Sequence, residues 1–372
     1  MYTRALGRRL LLVIGLVLLG MAAADAAGSS GDLAFDLAGW TATIEHPDSP
    51  LPERVEALIR RGETYRSLGR WREARADLRL ALEQARAIRS DLLQGVASYA
   101  LGQLYAQVQE APEAERLLRS ALALATDLDR PLLGGAVANS LAVELARRGR
   151  TAEARTQYAR ALELAQTSGD WGLTAAVRRN LARLDLETGQ PDSALVELKT
   201  ARVAAREVKA PGERAELLLG IGTEALGAGA AGRALGVEIL REAATLAENA
   251  GFARVHAEAL GMLGDLHEKN GQSAAALALA EQAVQAAPIN AHELLYAWEW
   301  RIGRLYRERG DLRQAIAAYR RAVDHLERVR PIMPVDAASG RSSFRETFGP
   351  LYLQLADLLL QRASAIQAGE EQ

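Results

Sequence analysis

The sequence contains no cysteine. That excludes disulfides, thiolate metal sites and a cysteine nucleophile within this chain. Aromatic residues make up only 5% of it, so a large core has to be built from alanine and leucine. Lysine is confined to Lys199, Lys209 and Lys269, and arginine carries the positive charge. The net charge of −2 offers no basic surplus for nucleic acid and no acidic tail. Runs of alternating β-branched residues are hard to find. No H-E-x-x-H, P-loop lysine motif or nucleophile elbow occurs. Five histidines are present, His46, His256, His267, His292 and His325. His256 and His267 are three helical turns apart, roughly 16 Å, too far to share a metal. The pair Glu370-Glu371 lies in the terminal tail. No catalytic residue, metal site or cofactor is therefore expected.

What is present is helix-forming. Apolar residues reach 49%, and alanine and leucine mixed with arginine and glutamate lose little side-chain entropy in a helix. One framework recurs: a small residue, a large one three later, alanine twelve later, a large one sixteen later, alanine nineteen later. The first copy reads Gly62, Tyr65, Ala74, Leu78, Ala81. The next three begin at Gly102, Ala142 and Ala182, each forty residues on. The fifth begins at Gly222 and has Ala234 in place, but Leu240 and Ala243 fall two residues late, and Gly227 to Gly232 absorbs the extra length. The sixth begins at Gly264 and the seventh at Gly303.

A glycine precedes the midpoint alanine by five residues in six copies: Gly69, Gly149, Gly189, Gly229, Gly271 and Gly310. Glycine accepts the left-handed conformation that ends a helix. The second copy has Gln109 there and Pro112 nearby, which predicts a differently built turn. Each unit reads as helix, turn, helix, and one pair cannot bury its apolar face without neighbours.

This spacing resembles the tetratricopeptide repeat family, in an extended form of about forty residues. The resemblance implies an all-α, right-handed superhelical solenoid of about seven helix pairs over 53–330. It also implies a protein or peptide partner held along a concave face lined by first helices. By helical phase the residues free to line that face include Tyr99, Gln103, Asn139, Arg179, Arg183, Asp265, Glu268, Trp300, Arg304 and Arg307. Arg179, Arg183 and Asn139 are suited to a carboxylate or acidic peptide, since arginine donates in pairs. Trp300 is an apolar anchor candidate.

Outside the repeats, Arg4, Arg8 and Arg9 precede an apolar run from Leu10 to Gly20 and an A-x-A site at Ala22/Ala24. This is the secretory pattern, so 1–24 is expected as a signal peptide and the protein as periplasmic or secreted. An uncleaved inner-membrane anchor is the alternative. Residues 25–52 are expected as a linker, 331–343 as a second linker, 344–366 as a capping helix kinked at Gly349-Pro350, and 367–372 as a tail. The stretch Arg341-Ser342-Ser343-Phe344-Arg345-Glu346-Thr347-Phe348-Gly349-Pro350-Leu351-Tyr352, followed by Leu355-Ala356-Asp357-Leu358-Leu359-Leu360, resembles the junction in CHAT proteins. That family joins tetratricopeptide repeats to a caspase-like peptidase with a His/Cys dyad. No such dyad can be assigned here. The resemblance implies a repeat half that recruits a peptidase or its substrate.

Overall fold

A computed structural model describes residues 30–330 and 343–369. The expected signal segment and most of the second linker lie outside these residues. The described chain is helical and divides into two compact units, one up to Leu235 and one from Gly236.

In the first unit, α1 (Ser30–Glu45) precedes four helix pairs: α2 (Leu51–Ser67) with α3 (Trp71–Ala87), α4 (Asp91–Gln107) with α5 (Ala111–Asp127), α6 (Pro131–Arg147) with α7 (Thr151–Ser168), and α8 (Trp171–Glu187) with α9 (Pro191–Glu207). Helix α10 (Pro211–Ala225) follows, and α11 (Gly229–Ala250) crosses into the second unit. The second unit continues with α12 (Ala253–Lys269), α13 (Ser273–Ala286), α14 (His292–Glu308), α15 (Leu312–Val329) and α16 (Ser343–Ala368). Each helix packs mainly on its partner in the pair, and within the first unit each first helix also touches the next first helix.

The framework is packing. Ala74, Leu78 and Ala81, and their counterparts around Leu118, Tyr158, Leu198, Ala280 and Tyr319, are at most 1% exposed. The small residue and the large one sixteen positions later meet face to face. A Cβ on Gly62 would lie 2.7 Å from Leu78 Cγ, one on Gly102 3.0 Å from Leu118 Cγ, and one on Gly303 2.6 Å from the Tyr319 ring. Where the large residue becomes Ala280, the crowding at Gly264 relaxes to 3.4 Å.

Helix ends follow a finer beat than the forty-residue repeat. Left-handed residues stand at Gly69, Arg89, Gln109, Asp129, Gly149, Gly169 and Gly189, one every twenty residues. Gln109 adopts φ 63°, so the turn of the second copy is built like the others. Its side chain carries the strain that glycine avoids elsewhere. Asp129 and Arg89 do the same between pairs. At Val208 and Ala210 the backbone is extended instead, leading into Pro211.

Three further expectations are corrected. Ala234 is exposed, and Gly236, two residues on, is buried in its place; the insertion is taken up at the start of α11. Most of 25–52 is not a linker but α1, held by Trp40 under the Arg60 guanidinium at 4.9 Å and by Thr41 accepting from Arg61 at 3.0 Å. The last helix runs from Ser343 to Ala368 with Pro350 inside it. Leu351 and Leu358 are fully buried against Tyr319, Leu326 and Val329 of α15, while Leu359 is exposed.

Candidate functional site

Successive first helices of the first unit place residues in register, about forty positions apart. Their side chains are joined by hydrogen bonds that step from one helix to the next. Ser140 of α6 pairs with the Tyr99 hydroxyl of α4 at 3.3 Å, and Gln103 Nε2 donates to the same hydroxyl at 2.7 Å. Asn180 of α8 donates to Asn139 Oδ1 at 3.0 Å, and Arg183 donates to Asn180 Oδ1 at 2.9 Å. A polar strip thus crosses α4, α6 and α8. At its far end it meets α10 through Gly220, whose missing side chain leaves room for the Arg179 guanidinium.

The candidates fare differently along this strip. Tyr99 is 3% exposed and its hydroxyl is pushed up to about 12 by burial; it is a buried brace rather than a contact. Gln103 and Asn139 are half-buried and belong to the hydrogen-bonded strip. The Gln103 carbonyl oxygen is buried without a partner. Arg179 and Arg183 lie together, one turn apart. Burial, reinforced by Arg183, holds the Arg179 guanidinium below its ordinary range, and burial raises the nearby Glu224 carboxyl. Tyr158, near both arginines, is raised to about 12 by burial.

In the second unit the candidates mostly satisfy one another. Arg301 of α14 donates to Asp265 at 2.9 Å, to Glu268 at 3.0 Å and to the Gly261 carbonyl at 2.8 Å. Arg304 donates to Glu268 at 2.8 Å and stacks 5.7 Å from the Trp300 ring. The acidic block of α12 and the basic block of α14 therefore close on each other. Trp300 is not a free anchor: its indole nitrogen donates to Gln354 of α16 at 2.9 Å, an oxygen that also accepts from Tyr319. Arg307 is exposed.

Sequence reasoning missed Asn180, Gly220, Glu224 and Arg301. Asn180 and Gly220 stand in register with Ser140, a signal hidden because the residue type changes at each step. It also missed His292 and His325, whose Nδ1 atoms lie 2.9 Å apart. An open cleft of about 660 Å³ lies among α11, α12 and α13, lined by Leu260, Leu263 and Leu279 and by Arg241, Glu248 and His256. His256 is tied there to the Ala244 carbonyl at 2.9 Å. Among the described residues, no helix is long and apolar enough to cross a membrane.

Models of the tetratricopeptide repeat match residues 53–127, 135–207, 257–290 and 296–325, more than half of the chain. No curated protein matches the chain. Similar solved structures include the apo form of RapI, with 12% identity and a TM-score of 0.50 over 75% of this chain and 99% of that one. Another is the apo form of the quorum sensor NprR from B. thuringiensis, with 13% identity and a TM-score of 0.53 over 86% of each chain. A third is a signal transduction ATPase with a tetratricopeptide repeat sensor from Pyrococcus horikoshii, with 14% identity and a TM-score of 0.55 over 89% of this chain and 52% of that one. At these identities the likeness is one of fold.

Proposed function

Since the chain belongs to the tetratricopeptide repeat family, we propose that it is a non-catalytic scaffold that holds an extended segment of a partner protein across the first helices α4, α6, α8 and α10. The observation that carries this reading is the polar strip from Gln103 to Arg183. Half-buried amides in register on neighbouring helices, Gln103 and Asn139 among them, suit a chain whose own peptide groups need partners. The expected test uses a photo-crosslinking residue at Asn139 or Arg183, compared with one at Val196, an exposed residue of α9. Partner crosslinks at the first two positions and not at Val196 support the reading. Equal crosslinking at all three, or none, overturns it.

The same protein is proposed to act outside the cytoplasm, on the strength of the Arg4–Arg9 charges, the Leu10–Gly20 run and the Ala22/Ala24 site. The mass of the mature chain tests this. Loss of about the first two dozen residues supports export, and an intact N-terminus recovered from membranes favours an anchor. A second reading, recruitment of a caspase-like peptidase or its substrate, rests on the stretch from Arg341 to Leu360. A His/Cys peptidase domain encoded downstream or in the adjacent frame would support it, and its absence there would count against it.

A further inference from the structure

Several arginines on the first helices are answered by carboxylates of the same unit, and others donate to backbone carbonyls or, like Arg183, to an amide. Arg61 pairs with Asp77 at 2.7 Å, Arg66 with Glu63 at 2.8 Å, and Arg178 with Glu197 at 2.9 Å. In the second unit Arg301 and Arg304 are answered by Asp265 and Glu268. Arg179 has neither kind of partner among the described residues. It is set into the face between α8 and α10, and its Nε has no solvent access and no hydrogen-bond partner. Among the described residues no carboxylate lies within ion-pair distance of it.

The place it occupies is shaped for it. Its guanidinium rests over Gly220, and a Cβ at that position would overlap its terminal nitrogen. The register that carries Ser140 and Asn180 on earlier helices carries no side chain here. Arg183 stands one turn along α8, fixed by Asn180 and through it by Asn139. Two guanidiniums are thus presented side by side. Glu224 is the facing acid, but it makes no ion pair with either, and burial raises its pKa, which weakens it as a counter-charge. Arg179 is half-buried, and with no carboxylate partner its terminal nitrogens are left to gain paired, charge-assisted hydrogen bonds from a delivered carboxylate.

We infer that Arg179 and Arg183, seated over Gly220, form a subsite for an internal aspartate or glutamate side chain of the partner segment. This rests on the peptide-holding reading above and names the chemistry of one position within it. The strip continues on α4 and α6 to one side, and α10 lies on the other. A segment therefore passes through the subsite, which favours a side chain over a terminal carboxylate.

The test is affinity selection of the full chain against a random peptide library, in one arm with acetylated and amidated ends and in another with free carboxyl ends. Enrichment of Asp or Glu at one position, about tenfold over neutral residues, is expected in both arms. Arg179→Gln should abolish that enrichment while other positions keep theirs. Gly220→Ala, which displaces the guanidinium and keeps its charge, should reduce it. Thermal melts confirm that both variants fold. Peptides enriched without an acidic position, or acidic enrichment untouched by Arg179→Gln, would overturn the inference and leave the peptide-holding reading standing. Acidic enrichment seen only with free carboxyl ends would overturn it in favour of a terminus. Enrichment of nothing would overturn the reading beneath it.

Discussion

Gly303 of α14 lies against the ring of Tyr319 on α15, where a Cβ would come within 2.6 Å of the ring carbons. Gly264 holds the same framework position on α12 but faces Ala280, with its nearest neighbour at 3.4 Å. The two glycines should answer the same substitution in opposite directions. Gly303→Ala is expected to destabilise by about 1–3 kcal/mol, since an aromatic ring in a packed core yields poorly. Gly264→Ala is expected to be neutral or to stabilise by up to about 1 kcal/mol, because glycine is a poor helix residue. Urea unfolding midpoints of the two variants check this.

That contrast shows what was readable in the sequence and why. The framework was legible because packing repeats: every pair needs a small residue opposite a large one, so the same types return at the same spacing. The polar strip was half legible. Asn139, Arg179 and Arg183 could be placed by phase, yet Asn180 and Gly220 could not be singled out, since the residue at their register changes from serine to asparagine to glycine. Helix α1 was missed because two residues that fix it, Trp40 and Thr41, are adjacent and so show no helical spacing. The contact between His292 and His325 spans two helices at positions for which the framework has no rule.

Gln109 supplies a gain rather than a loss. It holds φ 63° where four of the neighbouring turns use glycine. Gln109→Gly should stabilise the first unit by about 1 kcal/mol, the strain of a left-handed residue with a Cβ. Gly149→Ala should cost a similar amount. Both effects can be read from denaturant midpoints.

Arg61 ties three helices together. It donates to both oxygens of Asp77 on α3, at 2.7 and 2.9 Å, and to Thr41 on α1 at 3.0 Å. Asp77→Ala leaves a largely buried guanidinium without its counter-charge and should cost about 3 kcal/mol. The double variant Arg61→Met with Asp77→Leu should recover most of that loss, because removing both charges also removes their desolvation. A double-mutant cycle measures the coupling.

His325 makes stability depend on pH. Burial, and then the neighbouring His292, lower its pKa from the ordinary 6.5, while Glu299 and Asp324 oppose the shift and Arg328 adds to it. The unfolded chain therefore binds a proton at a higher pH than the folded one. The neutral ring's contribution is fully present above 6.5 and is lost as pH falls from 6.5 toward the lower folded value. Melting temperatures should decline across that window, and His325→Gln should flatten the decline. An unchanged slope in the variant would assign the pH dependence to other groups.

The twenty-residue beat of the helix ends has a consequence for how the chain acquires its shape. Bonds between successive first helices, such as Tyr99 with Ser140 and Asn139 with Asn180, close loops of only 41 residues. Closure of such short loops carries a small entropic penalty, and folds made of nearby contacts form quickly. Each pair can dock on the one before it as soon as it emerges, from the ribosome or from a translocation channel, without waiting for the rest of the chain.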